Sequence, residues 1–182
     1  LKVKASTLLV QILRHPSWEA GAKHFATGIA RAALPNLRHR NSKVRMASLD
    51  LFETSVSVPD REKVRGAGTE AIIDLVGLRD ENVLPIAAFY RSDCGTTVNC
   101  LAELVTDGNR NVRMRCCDML SFFICCLPDR YDHIQRLLPY LLSFHTDDCQ
   151  EIRERALAAI DICGQYYEAE NTNDIIEGRQ YG

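Results

Sequence analysis

The side chains with the widest chemical reach in this sequence are five histidines and eight cysteines. A metal site needs ligands at spacings that converge on one point. His15, His24, His39, His133 and His145 form no H-x-x-x-H pair and no cluster with cysteine, so neither a metal nor a cofactor is expected. The cysteines include two adjacent pairs, Cys116-Cys117 and Cys125-Cys126, inside an apolar helical stretch, and C-x-x-C is absent. They read as reduced, buried small hydrophobes rather than as a disulfide framework. Cys94, beside Gly95, is the one thiol placed on a loop, and nucleophilic work there would need a neighbouring base. No base can be named, so a thiol-dependent enzyme is the least favoured reading and no catalytic residue is assigned. Gly66-Ala67-Gly68 is too short to cradle a phosphate and follows no strand. Arg38-His39-Arg40 with Lys43 and Arg45 is a local basic cluster of a kind that touches phosphates. It lacks interleaved aromatics, and 22 basic against 24 acidic residues leave the chain at −2. A solvated turn is expected there, with no nucleic-acid partner.

What remains is a charge pattern that repeats. Val44-Arg45 with Ser48, Val112-Arg113 with Cys116, and Ile152-Arg153 with Ala156 each set a small residue three positions after an arginine. Asp107 lies six residues before Arg113, as Asp147 lies six before Arg153. An arginine opening a helix can reach an aspartate in the preceding turn through charge-assisted hydrogen bonds and bridge adjacent repeats. Arg45, Asp107, Arg113, Asp147 and Arg153 are therefore expected to form a structural ladder. Binding is expected instead on the solvent side of the second helices. There Asp50 and Asp118 share a repeat position, and Arg115, Phe122 and Arg155 add mixed character; Phe89, Tyr90 and Arg91 are further candidates on an irregular segment.

The elements that must position these residues are amphipathic helices. Leu137 to Tyr167 reads as a helical hairpin, with a polar bend at Thr146-Asp147 and apolar residues at helical spacing on both sides. A lone hairpin cannot cover both of its apolar stripes, so it must stack on others of its kind. The spacing of 40 residues from Arg113 to Arg153 falls within the roughly 40–47 of HEAT and armadillo units. The fold class expected is all-α, a right-handed α-solenoid of HEAT/armadillo-like hairpins. It occupies 1–170 as one array, as a fragment of a longer solenoid, with an irregular segment at 79–97 and a polar, fraying tail at 171–182.

In chain order, Lys2 to Arg14 is expected to be the second helix of an incomplete repeat. Trp18 to Leu37 follows, with Ser17 as N-cap, Phe25, Ile29, Ala33 and Leu37 as its stripe, and Pro35 bending or ending it. Ser42 is expected to cap a helix that stops before Pro59. Glu62 to Leu78 reads as another helix weakened at its start by two glycines. From Arg45 to Arg113 is 68 residues, not two periods of 40, so the segment 79–97 is expected to be a long loop with one helical turn at Ile86 to Tyr90. Val98 to Thr106 with Asn111 to Leu127, then Tyr131 to Phe144 with Asp148 to Glu170, complete the array. The longest apolar run, Met119 to Leu127, is about half the ~20 residues a bilayer crossing needs. Neither a membrane span nor a signal peptide is supported.

Leu137-Leu138-Pro139, Leu141-Leu142 and Asp147, followed by Ile152-Arg153 and Ala156, resemble the HEAT repeat. Leu34-Pro35-Asn36-Leu37 with Ser42-Lys43-Val44-Arg45, Leu127 to Tyr131 with Leu137 to Ser143, and Gln165 to Asn171 resemble the HEAT-repeat axonemal dynein assembly factors, over 34–171. That resemblance implies a non-enzymatic cytoplasmic scaffold. It would bind axonemal dynein chains, chaperones or other assembly factors while dynein arms preassemble for cilia or flagella. The alternative is a general HEAT adaptor in transport or translation control. No binding residue transfers from the family.

Overall fold

The computed structural model describes residues 1–60, 62–76, 89–92, 95–176 and 178, with the backbone alone at 19–20, 89–92, 95–98 and 173–175. Its helices, among the described residues, are α1 (Lys2–Leu13), α2 (Glu19–Leu37), α3 (Ser42–Val56), α4 (Ala71–Val76), α5 (Cys100–Val105), α6 (Arg110–Cys126), α7 (Tyr131–Ser143) and α8 (Gln150–Ile176). They form an all-α solenoid of two layers. α1, α3, α6 and α8 stack in order as the second helices, and α2, α4, α5 and α7 line the other layer. Between the layers one apolar cluster runs from Leu13 to Ala159, with Phe52, Phe123, Tyr140 and Phe144 among its largest members. Phe52 of α3 and Phe123 of α6 meet with ring centroids 6.2 Å apart, a tilted pair adding about 1 kcal/mol beyond area burial.

The helix starts follow local chemistry. Asn41 and Asn109 occupy the N-caps of α3 and α6, and their side chains accept from the amides of Lys43 and Asn111. Ser42, expected as the cap, is instead the first helical residue, and Asn41 caps the helix through the Lys43 amide. Ser17 sits in a 3-10 turn, Pro16–Trp18, and Trp18 precedes α2 without a side-chain cap. Pro35 lies inside α2, which continues to Leu37. Near a helix end the lost amide costs only one bond. The buried stripe of α2 is Ala22, Ala26, Ala30, Ala33 and Leu37, small residues that let α3 come close, while Phe25 is exposed.

The region after α3 departs from expectation. Residues 62–70 are not helical: β1 (Pro59–Asp60) and β2 (Arg65–Gly66) pair antiparallel, Val64 takes φ 51°, and helix resumes only at Ala71. The glycines are required by contact. A Cβ at Gly66 would lie 2.1 Å from the Val56 carbonyl oxygen, and one at Gly68 would lie 2.6 Å from that of Ser55. The chain thus lies flat across the C-terminal end of α3, with Ala67 N donating to Val58 O at 2.6 Å.

Phe89 and Tyr90, expected in a helical turn, lie in β3 (Phe89–Ser92), which pairs antiparallel with β4 (Gly95–Val98) in the register Phe89↔Val98, Tyr90↔Thr97 and Arg91↔Thr96. Adjacent aromatics at Phe89-Tyr90 and the β-branched run Thr96-Thr97-Val98, with Gly95 before it, suit a hairpin better than a helix. Residues 77–88, 93 and 94, including Cys94 and Ile86, lie outside the described residues. Direct packing of α3 on α6 explains the 68-residue interval. It is one period carrying 28 extra residues, with α4 and α5 together in the layer where a single first helix would stand. At the C-terminal end α8 runs through Ile176, so residues 171–176, expected to fray, are helical, with Thr172 Oγ1 donating to Glu168 O at 2.8 Å.

Candidate protein-binding surface

The turns before α3, α6 and α8 carry the arginine ladder, and its register differs from the one expected. Arg113 does not engage the carboxylate of Asp107 in its own turn. It donates through Nη1 to the Asp107 backbone oxygen at 2.8 Å and clamps Asp147 of the following turn through Nε at 2.7 Å and Nη2 at 2.9 Å. Arg45 repeats the arrangement one step earlier. Its Nη1 donates to His39 O at 2.7 Å, its Nη2 to Asp107 Oδ1 at 2.8 Å, and its Nε lies 2.6 Å from Oδ2. Arg153 repeats the first half, donating to Asp147 O at 2.6 Å. Each guanidinium thus closes its own turn, and those of Arg45 and Arg113 reach forward to the next, because the carbonyl six residues back lies beside the helix start while the carboxylate there points toward the preceding repeat.

These pairs are largely withdrawn from water, with Asp147 and Asp107 side chains 5% and 8% exposed. Burial opposes ionisation of Asp147, yet hydrogen bonds from Arg113 and the Cys149 amide more than offset it, holding its carboxyl below the usual range. Arg113 is pushed up by its hydrogen bonds to Asp147. Asp148 adds a second, exposed carboxylate to the same guanidinium.

Four of the five second-helix binding candidates form a second ladder. Arg115 of α6 reaches back to Asp50 at 2.6 Å and Glu53 at 2.7 Å on α3, and Arg155 of α8 reaches back to Asp118 on α6 at 2.8 Å. Desolvation works against the charge on Arg115, but Glu53 and Asp50 more than offset it and raise its pKa. Asp118 raises that of Arg155. Glu53 is a member that sequence reasoning missed; its position three after Asp50, on the same helical face, was the available signal. The outer carboxylates stay half-exposed, so this face combines scaffold with accessible charge.

Phe122, the fifth candidate, is half-buried beside Phe123 and borders a groove of about 470 Å³ between the C-terminal ends of α1 and α3, lined also by Leu13, Arg14, Val58 and Pro59. Arg14 Nη2 donates to Thr54 Oγ1 across it at 3.2 Å. Phe89, Tyr90 and Arg91 are placed by backbone only, on a strand remote in sequence from the second-helix ladder.

The basic cluster is largely committed to protein. Arg38 pairs with Glu103 at 2.7 Å, Arg45 with Asp107, and His39 Nδ1 accepts from Asn41 N at 3.1 Å. Lys23 with Glu62 and Arg31 with Asp74 continue the zip between α2 and the inserted segment. Among the described residues no cluster of three or more potential metal ligands occurs, and no helix is long and apolar enough to cross a membrane.

The comparisons with known proteins agree with a helical repeat fold. Dynein axonemal assembly factor 5 of Xenopus laevis is 35% identical over 75 residues, and that of Homo sapiens 30% identical over 74. Each alignment covers 41% of this chain and 9% of the relative, so the chain spans only a small part of the curated proteins it matches. No solved structure matches the chain. The family described as Dynein axonemal assembly factor 5-like, TPR repeats, matches residues 86–177, which take in α5 to α8 and the rungs at Asp107, Arg113, Asp147 and Arg153, and the chain belongs to that family.

Proposed function

We propose that this chain is a non-enzymatic, protein-binding scaffold that acts in the cytoplasm during preassembly of axonemal dynein arms, holding dynein chains alongside chaperones or other assembly factors. The observation that carries the reading is the family match across α5 to α8, because the same helices present the half-exposed charged rungs. A stacked-hairpin surface of this kind offers extended area rather than a closed catalytic pocket. The thiols described at the core support a non-catalytic role. Cys116 and Cys117 are fully buried, and desolvation pushes Cys117 up to about 11, which works against a nucleophilic thiolate. The 40-residue period and the inter-helix turn chemistry favour HEAT-type units within a single array that belongs to a longer solenoid. Asp50, Asp118, Arg115, Arg155 and Phe122 are proposed as the contact face.

The test is affinity purification of the tagged protein from the cytoplasm of cells building cilia, with bound proteins identified by mass spectrometry. Recovery of axonemal dynein chains, reduced by Asp118→Lys, supports the reading. Recovery of transport receptors or translation factors with no dynein chain overturns it and leaves the fold untouched.

A further inference from the structure

The thiols that the scaffold reading leaves aside are not alike. Cys116 and Cys117 are sealed in the core, and Cys126 is exposed. Cys125, one residue before the end of α6, is half-buried, and half-buried Cys163 of α8 meets it with the two sulfurs 3.2 Å apart. One S–H donates weakly to the other sulfur. A disulfide needs sulfurs about 2.05 Å apart, so closing the bond asks for an approach of roughly 1.2 Å. Small changes of χ1 on the two side chains supply a shift of that size.

This contact is particular to the α6–α8 joint. Counted from the turn arginines, Cys125 lies twelve residues after Arg113 and Cys163 ten after Arg153. The same positions at the α3–α6 joint are Ser57, twelve after Arg45, and Phe123, ten after Arg113. The repeat therefore does not itself call for sulfur there. The joints differ in charge as well. Arg115 grips both Asp50 and Glu53 of α3, whereas Arg155 grips Asp118 of α6, and Ser121 stands where Glu53 would be. Further along the same helices, Arg130 Nη2 donates to Glu170 Oε1 and holds α8 beside the start of α7.

We propose that Cys125 and Cys163 are a redox modification site, where a hydroperoxide converts the two thiols to a disulfide that fastens α6 to α8. One thiolate attacks a peroxide oxygen, the O–O bond breaks, and the sulfur becomes a sulfenic acid as an alcohol leaves, or water when the oxidant is hydrogen peroxide. The second thiolate attacks that sulfur, the S–S bond forms, and the hydroxyl departs with a proton as water. The thiols give up two electrons and two protons, and the peroxide takes both. Burial and the neighbouring Cys163 push Cys125 up to about 12, while Arg130 works the other way. Its thiolate is thus scarce at neutral pH, and the reaction quickens as pH rises. The bond spans 38 residues and encloses all of α7 and the turn bearing Asp147. It therefore stiffens the helices that carry Asp118 and Arg155, whatever protein they bind.

In the experiment, the whole native chain is treated with hydrogen peroxide, quenched with N-ethylmaleimide, digested with trypsin without reductant and read by mass spectrometry. Residues 156–179 form a peptide with Cys163 as its one cysteine, residues 116–130 form the peptide holding Cys125, and fragmentation assigns the bonded sulfur. The Cys125–Cys163 link is expected to exceed any other intramolecular disulfide at least about tenfold, to lose that preference in urea, and to form about tenfold faster at pH 8 than at pH 7. The oxidised chain is expected to melt about 10 °C above the reduced one, with dithiothreitol reversing the shift. Cys163→Ser and Cys125→Ser, each close in size to the residue replaced, are each expected to remove both the link and the shift. A mixture of disulfides with no preference for this pair overturns the proposal, as does sulfinic acid at these two sulfurs in place of a bond. A linked chain whose melting midpoint does not move overturns the fastening.

Discussion

Replacing Asp147 by alanine should break a rung of the arginine ladder. It removes two hydrogen bonds to Arg113, at 2.7 and 2.9 Å, and the acceptor of the Cys149 amide at 2.8 Å. The guanidinium left behind is only 11% exposed and keeps the Asp107 carbonyl and the exposed Asp148. Breaking one side of a buried pair costs about 3–5 kcal/mol, and Asp148 should hold the loss near the lower bound, at about 3 kcal/mol. For a chain of this size that lowers the melting midpoint by about 10 °C. Because repeats couple only to neighbours, the damage should fall on α7 and α8, and hydrogen exchange should show their amides opening before those of α3. Asp148→Ala touches the same arginine from water and should cost less than about 1 kcal/mol. The linkage has a definite sign. The carboxyl of Asp147 is held below its usual value in the fold, so its contribution is present above the unfolded pKa of about 3.9 and fades as pH falls below it. The gap between wild type and Asp147→Asn in urea denaturation should therefore be wide at pH 7 and narrow below about pH 4. Equal losses for Asp147→Ala and Asp148→Ala, or a gap that widens in acid, would refute the ladder as an inter-repeat clamp.

The remaining predictions probe other joints. Gly66→Ala forces a Cβ against the Val56 carbonyl and should cost at least about 2 kcal/mol, whereas Gly28→Ala, exposed in α2 with open space around it, should stabilise by up to about 1 kcal/mol; chemical denaturation of both separates contact from propensity. Iodoacetamide should label exposed Cys126 in the native protein and reach Cys116 and Cys117 only on unfolding, as peptide mapping over a urea series will show. His133 is buried, and desolvation holds its pKa below the usual 6.5 despite Asp129 nearby. The unfolded chain then takes up the proton first, so stability should fall as pH drops from 7 through about 6.5, and this fall should be smaller in His133→Leu.

The helical layers were legible because their apolar stripes keep one period over three or more turns, as in α6 and α7. The insertion was not. Glu62 to Leu78 has a helical pattern of apolar residues, yet Gly66 and Gly68 serve close contact with the end of α3, a tertiary requirement that no local spacing records. Phe25 misled for the converse reason. Its size suggested core, but α2 packs through alanines, and a narrow stripe of small residues draws α3 close and leaves the phenylalanine outside.

The ladder shows what spacing alone resolves in a repeat protein. Six residues between Asp107 and Arg113 announced a shared turn, and the turn is shared, but through a backbone oxygen that any residue supplies. The side-chain carboxylate serves the previous repeat, so the pairing sits one period away from where adjacency suggests. The same offset explains why Asp50, Asp118, Arg115 and Arg155 looked like a free charged face. Their partners lie on the neighbouring helix of the row, at separations of 65 and 37 residues, the larger one lengthened by the 28-residue insertion. Both ladders persist across that insertion because α3 and α6 pack directly on one another. An insertion placed between α3 and α6 themselves would have separated Arg45 from Asp107 and Arg115 from Asp50 together. The surviving rungs therefore identify the second-helix row as the continuous element of this solenoid.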